Sequence, residues 1–367
     1  MGGKSMGEVL ALFVVLVLAA SSMAAATIHL RPPALYVLGD STLDVGNNNY
    51  LPGADVRRAN RRYYGVDFPG FPAGRFSNGY NTADFVANTM GFVSSPPPYL
   101  SLVQASSDSS QLYASADAGI LDSTNAGRCI PLSTQVQYFN ATRAVMVATV
   151  GSGEATRILS GSVFLIGVGS NDLFVFGFTE RARNRSATEQ QSDGAELLAN
   201  LISNYTATIM ELYSMGARKF AVINVGPVGC VPIFRRLDEA GQCDAGLNQL
   251  AADFDEALQS LLASLAERLP GLVYSLGDYF ALAQDTFANP LLLGFTDIAT
   301  ACCGSGRLLA DTDCMPSSAL CANRGQHVFF DRYHPSQRAC SLTALAFYFG
   351  LAKYTTPISF KQLALSS

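Results

Sequence analysis

The chain has 367 residues, 49% of them hydrophobic, and its 24 lysines and arginines against 29 aspartates and glutamates give a formal net charge of −5. This composition allows a large buried core, in one large α/β domain or two smaller domains. The weak acidity argues against a nucleic-acid partner. The densest basic cluster, Arg57, Arg58, Arg61 and Arg62, is predicted to be a solvated surface loop rather than a polyanion site.

The first 26 residues have the pattern of a secretory signal peptide. Lys4 supplies a positive charge, and residues 9–20 form an apolar run that is short for spanning a bilayer. Ala24 and Ala26 have the spacing of a cleavage site, and a retained signal anchor is the alternative. No later stretch is long and apolar enough to form a transmembrane segment. We therefore predict a secreted, extracellular or cell-wall protein in which residues 27–367 form a single domain.

Four short apolar runs, each followed by Gly, Asp or Pro, are predicted to be buried strands. They are "ALYVLGD" (34–40), "SVFLIGVGSND" (162–172), "KFAVINVGP" (219–227) and "GLVYSLGD" (271–278). They are rich in β-branched residues, apolar on both faces and separated by tens of residues. That pattern is typical of parallel strands covered by helices on both sides.

Helices are predicted between these strands. Residues 193–217 carry apolar side chains at helical spacing and end just before the third strand, and residues 243–271 do the same before the fourth. Strands and helices in this order predict a three-layer α/β/α sandwich with a parallel central sheet. Ligands of such sheets bind beyond the carboxyl ends of the strands.

The cysteines and glycosylation sequons fit an oxidising compartment. All eight cysteines follow the signal segment: Cys129, Cys230, Cys243, Cys302, Cys303, Cys314, Cys321 and Cys340. An even number favours disulfides, and Cys230 with Cys243 and Cys314 with Cys321 are locally plausible pairs, but the adjacent Cys302 and Cys303 leave the pairing open. Three Asn-x-Ser/Thr sequons are predicted glycosylation sites: Asn140, Asn184 and Asn204.

Ser41 follows the first predicted strand in a Gly-Asp-Ser turn, which makes it either a turn residue or a nucleophile. A serine hydroxyl needs a neighbouring base, and the base works best when a carboxylate fixes its tautomer. The chain has only three histidines, and His29 lies beside the predicted cleavage site. His327 and His334 share the segment "HVFFDRYHPSQ", where Asp331 stands three residues before His334. We predict His334 as the base and Asp331 as its partner.

Other interpretations of these residues stay open. His334 could be an ordinary surface or core histidine, and His327, Asp331 and His334 could bind a metal, although their spacing matches no helical zinc motif. Asn171, at the end of the second predicted strand, could donate its amide to an oxyanion or simply occupy a turn. The backbone N–H of Ser41 would be a further donor. The same "GVGSND" segment lacks the third glycine of a dinucleotide-binding loop.

Several blocks resemble the plant-type GDSL esterase/lipases of the SGNH hydrolase superfamily. They are "LGDSTLDVGNNNYLP", "GVDFPGFPAGRFSNGYNTADFVA", "GSNDLF", "INVGPVGCVP", "GFTDIATACCGSG" and "FFDRYHPSQRA", which occur in this order over nearly the whole mature chain. The resemblance implies a flavodoxin-like α/β/α sandwich, a Ser41 nucleophile paired with Asp331 and His334, and Asn171 in the oxyanion hole.

The chain departs from the family at the second oxyanion donor. The family's block resembles "NFASGGAGI", whereas residues 112–120 read "LYASADAGI". Ala116 stands at the first glycine and Asp117 at the second, so the resemblance implies the backbone N–H of Ala116 as the donor. If the site requires a positive φ, alanine would strain it.

The resemblance implies hydrolysis of carboxylic esters through an acyl-enzyme, without a metal or cofactor. The substrate would be a lipid or cutin-type acyl ester, or an O-acetyl group on a wall polysaccharide such as xylan. With no obvious lid or membrane-active helix, the sequence favours a short-chain ester. The alternative is a catalytically silent, secreted wall protein that binds through the same scaffold. The sequence leaves the oligomeric state open.

Overall fold

The computed structural model of the protein describes residues 31–70, 73–102, 110–350 and 353–366. The predicted signal peptide and His29 lie outside the described residues. Within those ranges, no helix is long and apolar enough to cross a membrane.

A six-stranded sheet forms the centre of the fold, in the order β10-β5-β4-β3-β1-β2. Its strands are β1 (Leu35–Gly39), β2 (Gln111–Leu112), β3 (Val163–Gly167), β4 (Lys219–Ile223), β5 (Val273–Gly277) and β10 (Thr355–Thr356). The first five are parallel and β10 is antiparallel. β6 (Asp297–Ala301) pairs with β9 (His327–Phe329), and β7 (Cys303–Gly304) pairs with β8 (Ala319–Leu320). The four predicted strands are therefore confirmed, whereas β2 and β10 were not predicted.

Helices cover both faces of the sheet. They are α1 (Thr82–Thr89), α2 (Leu132–Val150), α3 (Ser152–Gly161), α4 (Ser170–Ala182), α5 (Ala187–Ser214), α6 (Pro232–Arg235), α7 (Ala245–Arg268), α8 (Tyr279–Ala288), α9 (Gln337–Phe349) and α10 (Phe360–Leu365). The predicted helices correspond to α5 and α7. α5 begins six residues earlier than predicted because Ser186 and Glu189 form a reciprocal capping box at its N-terminus.

Alternate side chains of each strand enter two different cores, as the pleat of a strand requires. In β1, Tyr36 and Leu38 join the core that includes side chains of α2, α5 and α7. Leu35 and Val37 join the core beneath α1, α9 and α10. Two helical layers around one sheet give the predicted three-layer α/β/α fold.

The strand order creates a switch point at β1, where a ligand-binding crevice is expected. β2 lies on one side of β1 and β3 lies on the other, so the chain reverses its direction of travel across the sheet at this point. Open parallel sheets bind ligands in the crevice beyond such a switch point. Ser41 follows β1 and Asn171 follows β3, and both therefore lie at this crevice.

Candidate active site

Ser41 lies in a tight turn directly after β1. The Asp40 carboxylate accepts hydrogen bonds from the Thr42 backbone N–H at 2.9 Å and from the Thr42 hydroxyl at 2.7 Å. Gly39 is required before this turn, because a β-carbon there would stand 2.3 Å from the carbonyl oxygen of Gly167 on β3. Glycine lets the two strand ends approach closely, and the turn then presents the serine hydroxyl at the crevice.

Ser41, His334 and Asp331 form a continuous hydrogen-bonded chain. The Ser41 Oγ lies 2.8 Å from His334 Nε2, and His334 Nδ1 lies 2.8 Å from both carboxylate oxygens of Asp331. All three residues are at least nine-tenths buried. One imidazole nitrogen thus faces the hydroxyl while the other faces the carboxylate, as a base that must accept the serine proton requires.

The Asp331 carboxylate is held by several donors from its own loop and from a distant segment. The backbone N–H groups of Tyr333 and His334 donate to Oδ1 at 2.8 Å, and the Tyr64 hydroxyl donates to Oδ2 at 2.7 Å. Burial by itself would raise the pKa of Asp331, but the facing His334 and these hydrogen bonds outweigh it and lower the pKa to about 2. Asp331 is therefore ionised at neutral pH.

Backbone hydrogen bonds from two disulfide-bonded cysteines support the loop that carries Asp331 and His334. The backbone N–H groups of Cys302 and Cys303 donate to the carbonyls of Phe329 and Phe330, at 3.1 and 2.7 Å. Cys302 pairs with Cys321 and Cys303 with Cys314, so the plausible pair Cys314 with Cys321 is wrong. The reason is geometric: β7 and β8 run antiparallel beside the loop and bring each half-cystine to a partner that the sequence separation does not indicate.

Elsewhere the pair Cys230–Cys243 is confirmed, and Cys129 and Cys340 are free thiols. Three disulfides are typical of proteins that mature in an oxidising compartment.

Asn171 is the second residue of α4 and lines the same cavity as Ser41 and His334. Its side-chain amide donates one hydrogen bond to the Ala118 carbonyl at 2.9 Å. The amide has two hydrogens, so this bond fixes its orientation and leaves the second hydrogen for a ligand. The backbone N–H of Ser41 donates to no acceptor in the described part of the chain.

Ala116 does not fit its predicted role as an oxyanion donor. Its backbone N–H donates to Asp44 Oδ2 at 3.1 Å, and Ala116 is absent from the residues that line the cavity. The fully buried Asp44 also accepts the N–H groups of Gly46 and Asn47 and so ties this segment to the Ser41 turn. The N–H of Ala116 is therefore engaged by Asp44 and is not directed at the cavity.

The next residue, Asp117, lines the cavity, and its N–H has no acceptor among the described residues. Its φ is +68°, in the left-handed region that favours glycine, where the resembling family has one. The Asp117 carboxylate stands 3.7 Å from the Arg57 guanidinium. Burial raises the pKa of Asp117, although the positive charge of Arg57 opposes the shift.

A cavity lies over the serine. Its polar lining residues include Ser41, His334, Asn171 and the pair Arg57 and Asp117. The rest of the wall is largely apolar and includes Phe174, Val228, Val231, Phe287 and Phe329. A site with a few convergent polar groups beside an apolar wall suits a small ligand with an apolar part.

The remaining predicted residues lie away from this cavity. The His327 ring contacts the Thr300 carbonyl at 3.4 Å and the Asp297 carboxylate at 3.8 Å. In the ranges that the structure covers, no three His, Cys, Asp or Glu side chains are grouped as a metal site would require. The three sequon asparagines are exposed: Asn140, Asn184 and Asn204. Their glycosylation stays a prediction.

Sequence reasoning missed Tyr64, Asp117 and Arg57. Tyr64 reaches Asp331 from 267 residues away, and no local pattern signals that contact. Asp117 could have been identified, because an aspartate at a family glycine can adopt a positive φ more readily than alanine can.

Comparison with known proteins identifies the family of the chain. The model of the GDSL-like Lipase/Acylhydrolase family matches residues 35–347. GDSL esterase/lipase At5g55050 of Arabidopsis thaliana is 36% identical, over 90% of this chain and 89% of that protein. GDSL esterase/lipase At1g71250 of the same plant is 35% identical over 91% and 90%. Among solved structures, the lipase Lip_vut3 from a goat rumen metagenome is similar at a TM-score of 0.40 and 11% identity, covering 85% of this chain and 93% of that one. The chain therefore belongs to the GDSL-like lipase/acylhydrolase family and is an ester hydrolase of the GDSL type.

Proposed function

We propose that the protein is a secreted serine esterase that uses Ser41, His334 and Asp331 as a catalytic triad and forms an acyl-enzyme. The observation that carries the proposal is the 2.8 Å contact between Ser41 Oγ and His334 Nε2, with Asp331 on the other ring nitrogen. The three disulfides support the extracellular part of the proposal.

The reaction follows from the order of these contacts. His334 takes the proton of Ser41 as the serine oxygen attacks the ester carbonyl, and the ionised Asp331 stabilises the imidazolium that forms. His334 then protonates the leaving alcohol. In the second half, His334 activates a water molecule that attacks the acyl-enzyme carbonyl and releases the carboxylic acid. Besides the ester and this water molecule, the steps use only Ser41, His334 and Asp331.

Three donors would stabilise the tetrahedral oxyanion in this proposal: the Asn171 amide and the backbone N–H groups of Ser41 and Asp117. Asp117 replaces Ala116 in this role because its N–H has no acceptor among the described residues and Asp117 lines the cavity. Removing one such donor typically costs about 10²–10³ in kcat.

The Asp117 side chain should limit the rate, because it adds a carboxylate to the wall of the cavity in which the oxyanion develops. Asp117→Gly, which suits a φ of +68°, should raise kcat for p-nitrophenyl butyrate by roughly three- to tenfold. Asp117→Asn is the matched control, since it keeps the side-chain size and removes only the charge. Steady-state kinetics at pH 8 should show both variants faster than wild type. If neither is faster, the carboxylate does not act on the oxyanion.

Two substrate classes are compatible with this chemistry: a lipid or cutin-type acyl ester and an O-acetyl group on a wall polysaccharide. The alternative function is a silent binding protein on the same scaffold. A fluorophosphonate probe separates enzyme from binding protein, because only an activated serine reacts with it. We expect the purified wild-type protein to be labelled at Ser41, as located by peptide mass spectrometry. An unlabelled, folded protein would contradict the proposal.

A further inference from the structure

Asp117 keeps a carboxylate at a position whose backbone and burial both oppose one. Its φ of +68° lies in the region that favours glycine, and the residue is only 7% exposed. Its Oδ2 atom is buried and accepts no hydrogen bond from any residue that the structure describes. A buried acceptor without a donor costs free energy. The wall of the cavity over Ser41 therefore holds an acceptor whose partner the described chain does not supply.

Arg57 stands beside this acceptor. It belongs to the basic cluster that was predicted to be solvated, but its side chain is only 31% exposed and lines the same cavity. Its guanidinium lies over the Tyr333 ring, 5.0 Å from the ring centroid, and its Nε stands 3.7 Å from Asp117 Oδ2. That separation makes an ion pair but is too long for a hydrogen bond. A guanidinium carries five N–H donors, so these contacts leave donors for a ligand.

The two side chains together discriminate between ligand groups by charge. A substrate carboxylate would be repelled by Asp117, and a substrate ammonium would be repelled by Arg57. A hydroxyl is neutral, and it can donate one hydrogen bond and accept others. It can therefore donate to the Asp117 carboxylate and accept from an Arg57 N–H at the same time. This pair of side chains favours a hydroxyl over a charged group or a hydrocarbon.

We propose that Asp117 and Arg57 form a hydroxyl-binding subsite, and that the preferred substrates are esters with a free hydroxyl close to the ester bond, such as partial esters of glycerol or of a sugar. The inference rests on the proposed function, since it places the ester carbonyl at Ser41. The hydroxyl must lie near that carbonyl because the N–H of Asp117 is proposed to contact the oxyanion. The unfavourable carboxylate of Asp117 is then offset by a bond that only a hydroxylated substrate makes.

The test compares two hydroxylated esters with counterparts that lack the hydroxyls. Glycerol 1-butyrate is paired with propyl butyrate, so that the hydroxyls belong to the alcohol, and methyl 3-hydroxybutyrate is paired with methyl butyrate, so that the hydroxyl belongs to the acyl group. In at least one pair, kcat/KM of the wild-type protein, measured by acid release, should be at least about tenfold higher for the hydroxylated ester, as a hydrogen bond to a charged group implies. The pair that shows this ratio identifies the part of the substrate that carries the hydroxyl.

Three variants assign the ratio to the subsite. Asp117→Asn tolerates a positive φ but removes the charge, so it should lower the ratio about tenfold even though it speeds p-nitrophenyl butyrate. A general effect on catalysis would instead change both esters of a pair equally. Arg57→Met removes the guanidinium and should lower the ratio by roughly three- to tenfold. Asp122→Asn makes the matched change at an exposed residue that does not line the cavity and should keep the wild-type ratio.

The outcomes separate the two proposals. A wild-type ratio close to one in both pairs, or an unchanged ratio in Asp117→Asn, would overturn the subsite and leave the esterase intact. Absence of turnover of every ester by the wild-type protein would overturn both. If Asp117→Asn does not fold, as judged by thermal melting, Arg57→Lys, which keeps the charge but loses the forked donors, must lower the same ratio, and an unchanged ratio would overturn the inference.

Discussion

Replacement of Ser41 by alanine should lower kcat for a p-nitrophenyl ester by at least about 10⁴-fold. The hydroxyl is the only group of the side chain that the mechanism uses, and its hydrogen bond is to His334. Without it, His334 has no proton to accept and no covalent intermediate forms. The residual rate should reflect binding and the oxyanion donors alone.

Stability should change little in this variant. Ser41 lies at the cavity rather than within either helical layer, so removing one oxygen leaves the hydrophobic cores intact. Ser170, which lines the same cavity, supplies the matched control: Ser170→Ala should retain activity within about threefold. The measurement is steady-state kinetics on purified proteins with matched melting curves. A Ser41→Ala protein that turns over near the wild-type rate would remove Ser41 from the mechanism.

The central strands could be predicted from the sequence because burial on both faces leaves a continuous apolar run that a Gly or Asp ends. β2 and β10 could not, since a strand of two residues has no measurable period. The early start of α5 was signalled by Ser186 and Glu189, the two residues of a capping box. That signal lay upstream of the apolar residues on which the prediction depended.

In the candidate site, the Gly-Asp-Ser motif and the elimination of the other histidines were enough to select the residues that lie in short segments. The Gly-Asp-Ser turn and the Asp331–His334 spacing are local, and the structure brings them together at 2.8 Å. The support for Asp331 from Tyr64 comes from tertiary packing, which leaves no mark in either segment. Family resemblance indicated the segment that is proposed to supply the second oxyanion donor. It could not show that Asp44 already engages the N–H of Ala116, because that bond joins residues 72 apart.

Replacement of Asp331 by asparagine should lower kcat by about 10³–10⁴-fold. The carboxylate accepts the Nδ1–H of His334 and thereby keeps Nε2 free to receive the serine proton. An asparagine amide can instead donate to Nδ1, which moves the imidazole proton to Nε2, where it faces Ser41 and blocks proton transfer.

A second variant separates the loss of the Asp331 charge from a loss of packing around its loop. Tyr64→Phe removes one hydrogen bond to Asp331 Oδ2 but leaves the carboxylate and the two backbone donors to Oδ1 in place. It should therefore cost only about tenfold in kcat, because the tautomer of His334 is retained. Fluorophosphonate titration of active sites, followed by single-turnover kinetics, would measure both variants per competent enzyme. Equal losses in the two would show that Asp331 acts through the packing of its loop, whereas the expected hundredfold or greater gap requires its charge to hold the imidazole in the reactive tautomer.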